Sequence, residues 1–227
     1  MHKKVAFLLG AIKWPLALLA VLYLPATVDV LFSKILQLFT PLTQAGLALV
    51  VGFFSYAAIW FLLIRHSRIS WLSTLEHEIT HGLFALITFN RVTGLRATLR
   101  DGGHLAYQGT PNWLIQTSPY FFPTISFALL APIILFPSVL SFLFLIIVGA
   151  SLSYHALSTW RETHPAQTDF KDAGFVFVIC FLPAANFFSY ALFLESIMSN
   201  DFSLTSTVQS INESNWSPDI NNLLSKL

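Results

Sequence analysis

Charge is scarce in this chain: 10% of its 227 residues are Asp, Glu, Lys or Arg, against about 25% in an ordinary soluble domain. So little polar surface cannot cover an apolar core in water, which excludes an ordinary soluble globular protein. Cysteine is nearly absent, with Cys180 alone in an apolar run. That excludes a disulfide framework and any zinc site built on thiolates. Twelve basic residues stand against eleven acidic ones, so there is no net field to attract nucleic acid or another acidic polymer. Apolar side chains abound instead: 55% of the chain is hydrophobic and Phe occurs 22 times. Lipid is the solvent that suits such a surface.

A spanning helix needs about 20 mostly apolar residues. Residues 5–24, preceded by Lys3 and Lys4, form a first candidate. Lys13 and Pro15 interrupt its apolar run and no small-x-small cleavage site follows Leu24, so it reads as a retained helix rather than a signal peptide. A second span covers 46–64 and ends in Arg65 and Arg68. Basic residues at both outer ends of this helical pair place the N-terminus in the cytoplasm. Residues 71–89 form a third apolar stretch, and 90–118, with Arg91, Arg96, Arg100, Asp101 and Gly102-Gly103, read as a β-hairpin or re-entrant loop. Residues 119–160 are apolar but broken by Pro123, Pro132 and Pro137, so they form either two short spans or one span preceded by a re-entrant piece. A last span covers about 173–196, with Pro183 inside it. The expected fold is therefore an all-α polytopic membrane protein of about five to six transmembrane helices. Residues 1–196 form a single integral membrane domain with its catalytic core at about 71–196, and the Ser- and Asn-rich residues 197–227 form a polar, flexible tail.

The chemistry is concentrated in Leu75-Glu76-His77-Glu78-Ile79-Thr80-His81-Gly82. On a helix, residues four apart share one face, so His77 and His81 can offer two imidazole nitrogens to one ion. Glu78 lies beside the first of them, where a carboxylate reaches a water in the remaining coordination position and serves as general base. Ionisable groups at membrane depth are costly unless they have partners or a function. Glu76 is either a partner for a ligand histidine or a cap at the helix start.

A catalytic zinc with two histidines needs a third protein ligand. Asp169, Asp172, His164, His155 and His104 are the candidates. If the motif helix starts at the cytoplasmic face, its histidines lie about 9–15 Å down the helix. A single crossing by 119–160 then returns Arg161 to Asp172 to that same side, and an acid introducing the last span can reach the ion. This favours Asp169 and leaves Asp172 and His155 open. Asn186, in Pro183-Ala184-Ala185-Asn186, is a candidate for holding substrate or an oxyanion. Gly103 and His104 are candidates for an edge on which an unwound substrate strand would pair.

From about Leu75 to Ser196 the chain resembles the site-2-protease family of intramembrane zinc metalloproteases, specifically its small bacterial branch. The resemblance rests on His77-Glu78-Ile79-Thr80-His81, on the Gly102-Gly103-His104 loop, and on Asp169 in Gln167-Thr168-Asp169-Phe170 before a later span. It implies that His77, His81 and Asp169 bind Zn2+, that Glu78 is the general base, and that the substrate is a membrane protein or membrane-anchored peptide. It also implies the bacterial inner membrane as location. The family's Asp-Gly pair is missing here; Asp172-Ala173-Gly174 is a loose echo. Two other functions compete: a non-enzymatic scaffold, regulator or metal carrier that keeps a zinc site, and a di-iron oxygenase. The latter needs more histidine clusters than seven histidines supply.

Overall fold

The computed structural model describes residues 1–41, 43–65, 71–98, 102–136 and 142–218. Arg68, Arg100, Asp101 and Pro137, which entered the sequence reading, lie outside the described residues. The order is α1 (His2–Phe39), α2 (Gln44–Ile59) continuing into a π-helical turn (Trp60–Ile64), α3 (Trp71–Ile87), β1 (Arg91–Ala97) and β2 (Gly103–Gln108). Then come α4 (Trp113–Thr117), a 3-10 turn (Ser118–Tyr120), α5 (Thr124–Leu135), α6 (Phe142–Glu162), α7 (Thr168–Ala173), α8 (Phe175–Ser199) and α9 (Leu204–Glu213).

Among the described residues four helices are long and apolar enough to cross a membrane: α1, α2 with its π-helical turn, α6 and α8. A fifth is reached if the pair Trp113–Tyr120 and Thr124–Leu135, bent by 78°, counts as one. With that pair the count meets the lower end of the expected five to six; α3, at 17 residues, is not among these helices. Its end has a local cause. Phe89 adopts φ 61°, its N–H bonds the Leu86 carbonyl, and the Asn90 N–H bonds the Ala85 carbonyl. Those two bonds close the last turn and direct the chain into β1. The first helix is longer than expected, since 38 residues continue through Pro15 and Pro25.

Two parallel helix pairs frame the molecule. Trp14 meets Phe177 and Lys34 pairs with Glu195, so α1 runs alongside α8. Tyr56 meets Tyr154, and a Cβ on Gly52 or Gly149 would overlap the Ile146 or Leu49 carbonyl, so α2 and α6 lie backbone against backbone. Leu49, Leu130, Ile133, Val148 and Phe193 form the largest core cluster between these pairs.

Two further expectations change. Residues 119–160 run out and back rather than in one direction. Tyr120 touches His77 at the start of the stretch and Glu162 bonds His77 just beyond its end, so α5 leads away from the motif and α6 leads back. Packing of Ser126 on Ser151 ties the two antiparallel helices together. The polar tail is also structured in part: α9 docks on α1 through Ile211, packed with Ala26, Val30 and Ala191, and Ser214 donates to Asp29 at 2.7 Å.

Candidate metal centre

Helix α3 presents His77 and His81 one turn apart, with ring centroids 4.7 Å from each other. Short helix α7 brings Asp169 to them in its first turn. Gly174, at φ 88°, separates α7 from α8, so Asp169 stands on its own helix rather than at the head of the last span as expected. The His77 Nε2 and His81 Nε2 atoms are 3.0 Å apart, and they lie 3.3 and 3.4 Å from Asp169 Oδ2. Ligand atoms bound to one tetrahedral ion at about 2.0–2.2 Å stand about 3.3–3.6 Å from each other. The three atoms are therefore close to the edges of such a tetrahedron.

The other ring nitrogens decide which atoms face the centre. His81 Nδ1 lies 2.7 Å from the Ile115 carbonyl oxygen and must donate to it. His77 Nδ1 lies 3.1 Å from Glu162 Oε2 and donates to that carboxylate. With both rings neutral, each imidazole turns an Nε2 lone pair toward Asp169, the tautomer a metal requires. Two nitrogen lone pairs and a carboxylate converge, and the Tyr120 hydroxyl donates to Asp169 Oδ2 at 2.9 Å. A cation fits this donor set; His77, His81 and Asp169 form a group that can hold a metal ion.

Tyr120 is fixed from three sides. Its ring edge packs on His77 at 5.2 Å and tilts against Phe170 at 4.5 Å, and its carbonyl accepts a bond from Asn186 Nδ2 at 2.9 Å. Glu76 is buried and its Oε1 accepts from the Ile125 N–H at 3.1 Å. It therefore caps a helix, but the helix is α5 rather than its own. His155 is also buried and bonds the Tyr190 hydroxyl at 2.7 Å, outside the candidate metal group.

Glu78 lines the same cavity as His77, His81 and Asp169, a space of about 720 Å³ bordered also by β2 and by Glu162, His164 and Asp172. Strand β2 pairs antiparallel with β1, with Arg96 opposite His104 and Ala97 opposite Gly103. Gly103 lies directly on Glu78: a Cβ there would stand 2.5 Å from Glu78 Cγ and 2.6 Å from Oε1. Only glycine leaves the carboxylate its place. In the hairpin, burial and then the carboxylates of Asp172 and Asp169 push the Tyr107 phenol above its ordinary pKa.

No family model, characterised protein or solved structure matches the chain.

Of the residues expected at the site, His77, His81, Glu78, Asp169, Gly103 and His104 share one cavity. Asn186 does not join them; both its amide hydrogens bond backbone carbonyls, those of Tyr120 and Leu182, and its side chain faces a different cavity. Asp172 and His164 border the metal cavity without joining the ligand group. Tyr120, the Ile115 carbonyl and Glu162 were not among the residues expected at the site. Nothing in local spacing connects them to a histidine more than thirty residues away.

Proposed function

We propose that the chain is a zinc metalloprotease that cleaves peptide bonds of membrane-anchored proteins within the bilayer. The reading is carried by one observation: Glu78, a carboxylate outside the candidate metal group, shares a cavity wall with His77, His81 and Asp169. A zinc ion in that group would supply a Lewis acid and a water of lowered pKa. Glu78 is then the group that accepts the proton from the attacking water and returns it to the departing amine nitrogen as the C–N bond breaks. Glu162 holds His77 and the Ile115 carbonyl holds His81, so neither ring has to turn during the reaction.

A transmembrane helix hides its amides in internal hydrogen bonds, so its substrate segment must unwind before attack. The cavity-side edge of β2, at Gly103 and His104, offers a place for the unwound segment to run as an added strand. The bilayer setting is supported by the four long apolar helices.

The decisive experiment is metal analysis of the purified protein beside proteolysis of membrane-anchored substrates. Wild type is expected to hold about one zinc, lost in His77→Ala and Asp169→Ala. Glu78→Gln is expected to keep zinc and lose cleavage. Full proteolysis by Glu78→Gln would sink the mechanism, and zinc without cleavage in the wild type would favour a binding role.

A further inference from the structure

Behind Tyr120 lies a second cavity of about 380 Å³, walled by Phe170, Phe175, Val178, Ile179 and Leu182. It lies toward the lower end of the range for ligand pockets, about 300–1,000 Å³, and has room for a large side chain with the backbone that carries it. Its position is set by the metal group. Phe170 follows Asp169 in sequence, and the ring of Tyr120, whose hydroxyl bonds Asp169, packs on Phe170 at 4.5 Å. One aromatic ring thus separates the metal ligands from this cavity, and His164 borders both. At its rim Phe175 and Ile179 are 46% and 58% exposed, so it opens along the face of α8.

Resting on the proteolytic reading above, we propose that this cavity receives a bulky apolar side chain, such as Phe or Leu, from the peptide being cut. An extended peptide advances about 3.3–3.6 Å per residue. A ring's width therefore corresponds to about two residues, so the pocket selects a residue within two of the scissile bond. A polar feature of the lining favours a peptide over a lipid tail. Asn186 spends both amide hydrogens on the Tyr120 and Leu182 carbonyls, which leaves its Oδ1 to accept. A backbone N–H entering with the side chain satisfies that oxygen, whereas an acyl chain leaves it unpaired, which is costly away from water.

The test uses the full-length zinc-loaded protein in nanodiscs, with randomised apolar transmembrane peptides and cleavage sites mapped by mass spectrometry. Wild type is expected to prefer Phe or Leu over Ala at least tenfold at one position within two residues of the cut. In Ile179→Trp, which narrows the rim, that ratio is expected to fall at least tenfold while bound zinc stays the same. A binding readout separates the pocket from catalysis. In Glu78→Gln protein, a peptide with benzoylphenylalanine at the selected position should crosslink to residues 170–182. Cleavage with an unchanged ratio in Ile179→Trp, or crosslinks confined to β2, overturns the pocket and leaves proteolysis standing. Labelling of this cavity by a photoreactive acyl lipid that the peptide does not displace also overturns it. No cleavage by zinc-loaded wild type, together with no crosslink, overturns the proteolytic reading and the pocket with it.

Discussion

At the scale of single residues, the two histidines are held by different kinds of partner. His81 donates to a backbone carbonyl that α4 fixes, while His77 donates to the Glu162 carboxylate at 3.1 Å. A carboxylate behind a metal-bound imidazole orients the ring and raises its basicity, and losing such a partner typically costs about 10–100-fold in metal affinity or activity. Glu162→Gln, which keeps the shape and removes the charge, is expected to lower zinc affinity within that range, measured by competition against a chromogenic chelator. Wild-type affinity in this variant would show that Glu162 does not act on the site. The motif histidines were legible in the sequence because helical spacing alone brings them together. Glu162 was not, because it arrives from the end of a helix 85 residues away.

Among elements, the hairpin and the α2–α6 pair both depend on close approach. Strand β2 leaves no room for a methyl group between Gly103 and Glu78. Gly103→Ala is expected to displace the Glu78 carboxylate and reduce cleavage at least tenfold while zinc content stays at the wild-type level. Equal activity with zinc retained would argue against this contact. The α2–α6 pair packs through Gly52 and Gly149, each facing a backbone carbonyl of the other helix. Overpacking a tight contact costs about 1–3 kcal/mol, so Gly52→Leu is expected to destabilise the protein by at least that much, read as a lower midpoint in detergent-mediated unfolding. Long apolar stretches announced α1, α2, α6 and α8. The short α7 and the docking of α9 were not announced, because six residues carry no helical periodicity and a tail of mixed polarity acquires its buried face only where α1 offers one.

For the whole molecule, the helix directions gather one end around the metal group. His2 bonds Thr110 and the Trp113 indole donates to the Leu9 carbonyl, so the start of α1 lies beside the hairpin and α4. The ends of α2 and α6 point the same way, which brings Lys3, Lys4, Arg65, Arg161 and Lys171 to that end. Asp29, Asp201 and Glu213 lie toward the opposite end, with Lys34 paired to Glu195. Excess Lys and Arg marks the cytoplasmic face. In a Cys180→Ala background, Lys171→Cys is therefore expected to react with an impermeant maleimide only from the cytoplasmic side, and Thr205→Cys only from the other. The reverse pattern would invert the orientation, and labelling of both from one side would remove α8 as a crossing.

By itself the sequence determined the long apolar helices, the motif and the side chains on offer. Those follow from composition and from the 3.6-residue period, which need only local information. Tertiary structure alone brought Asp169 to the two histidines, in a group that can hold a metal ion. Sequence reasoning reached Asp169 by supposing that 119–160 cross once, whereas the structure takes another route. The chain instead climbs back to the level of His77 through β2 and α4 before α5 departs, so Tyr120 and Glu162 both meet His77 across an out-and-back excursion. A hairpin packed along α3 achieves what a crossing was expected to achieve. Leu105, Val92 and Tyr107 of the hairpin pack with Phe84 and Ala85 of α3, and no local pattern of residues encodes those contacts.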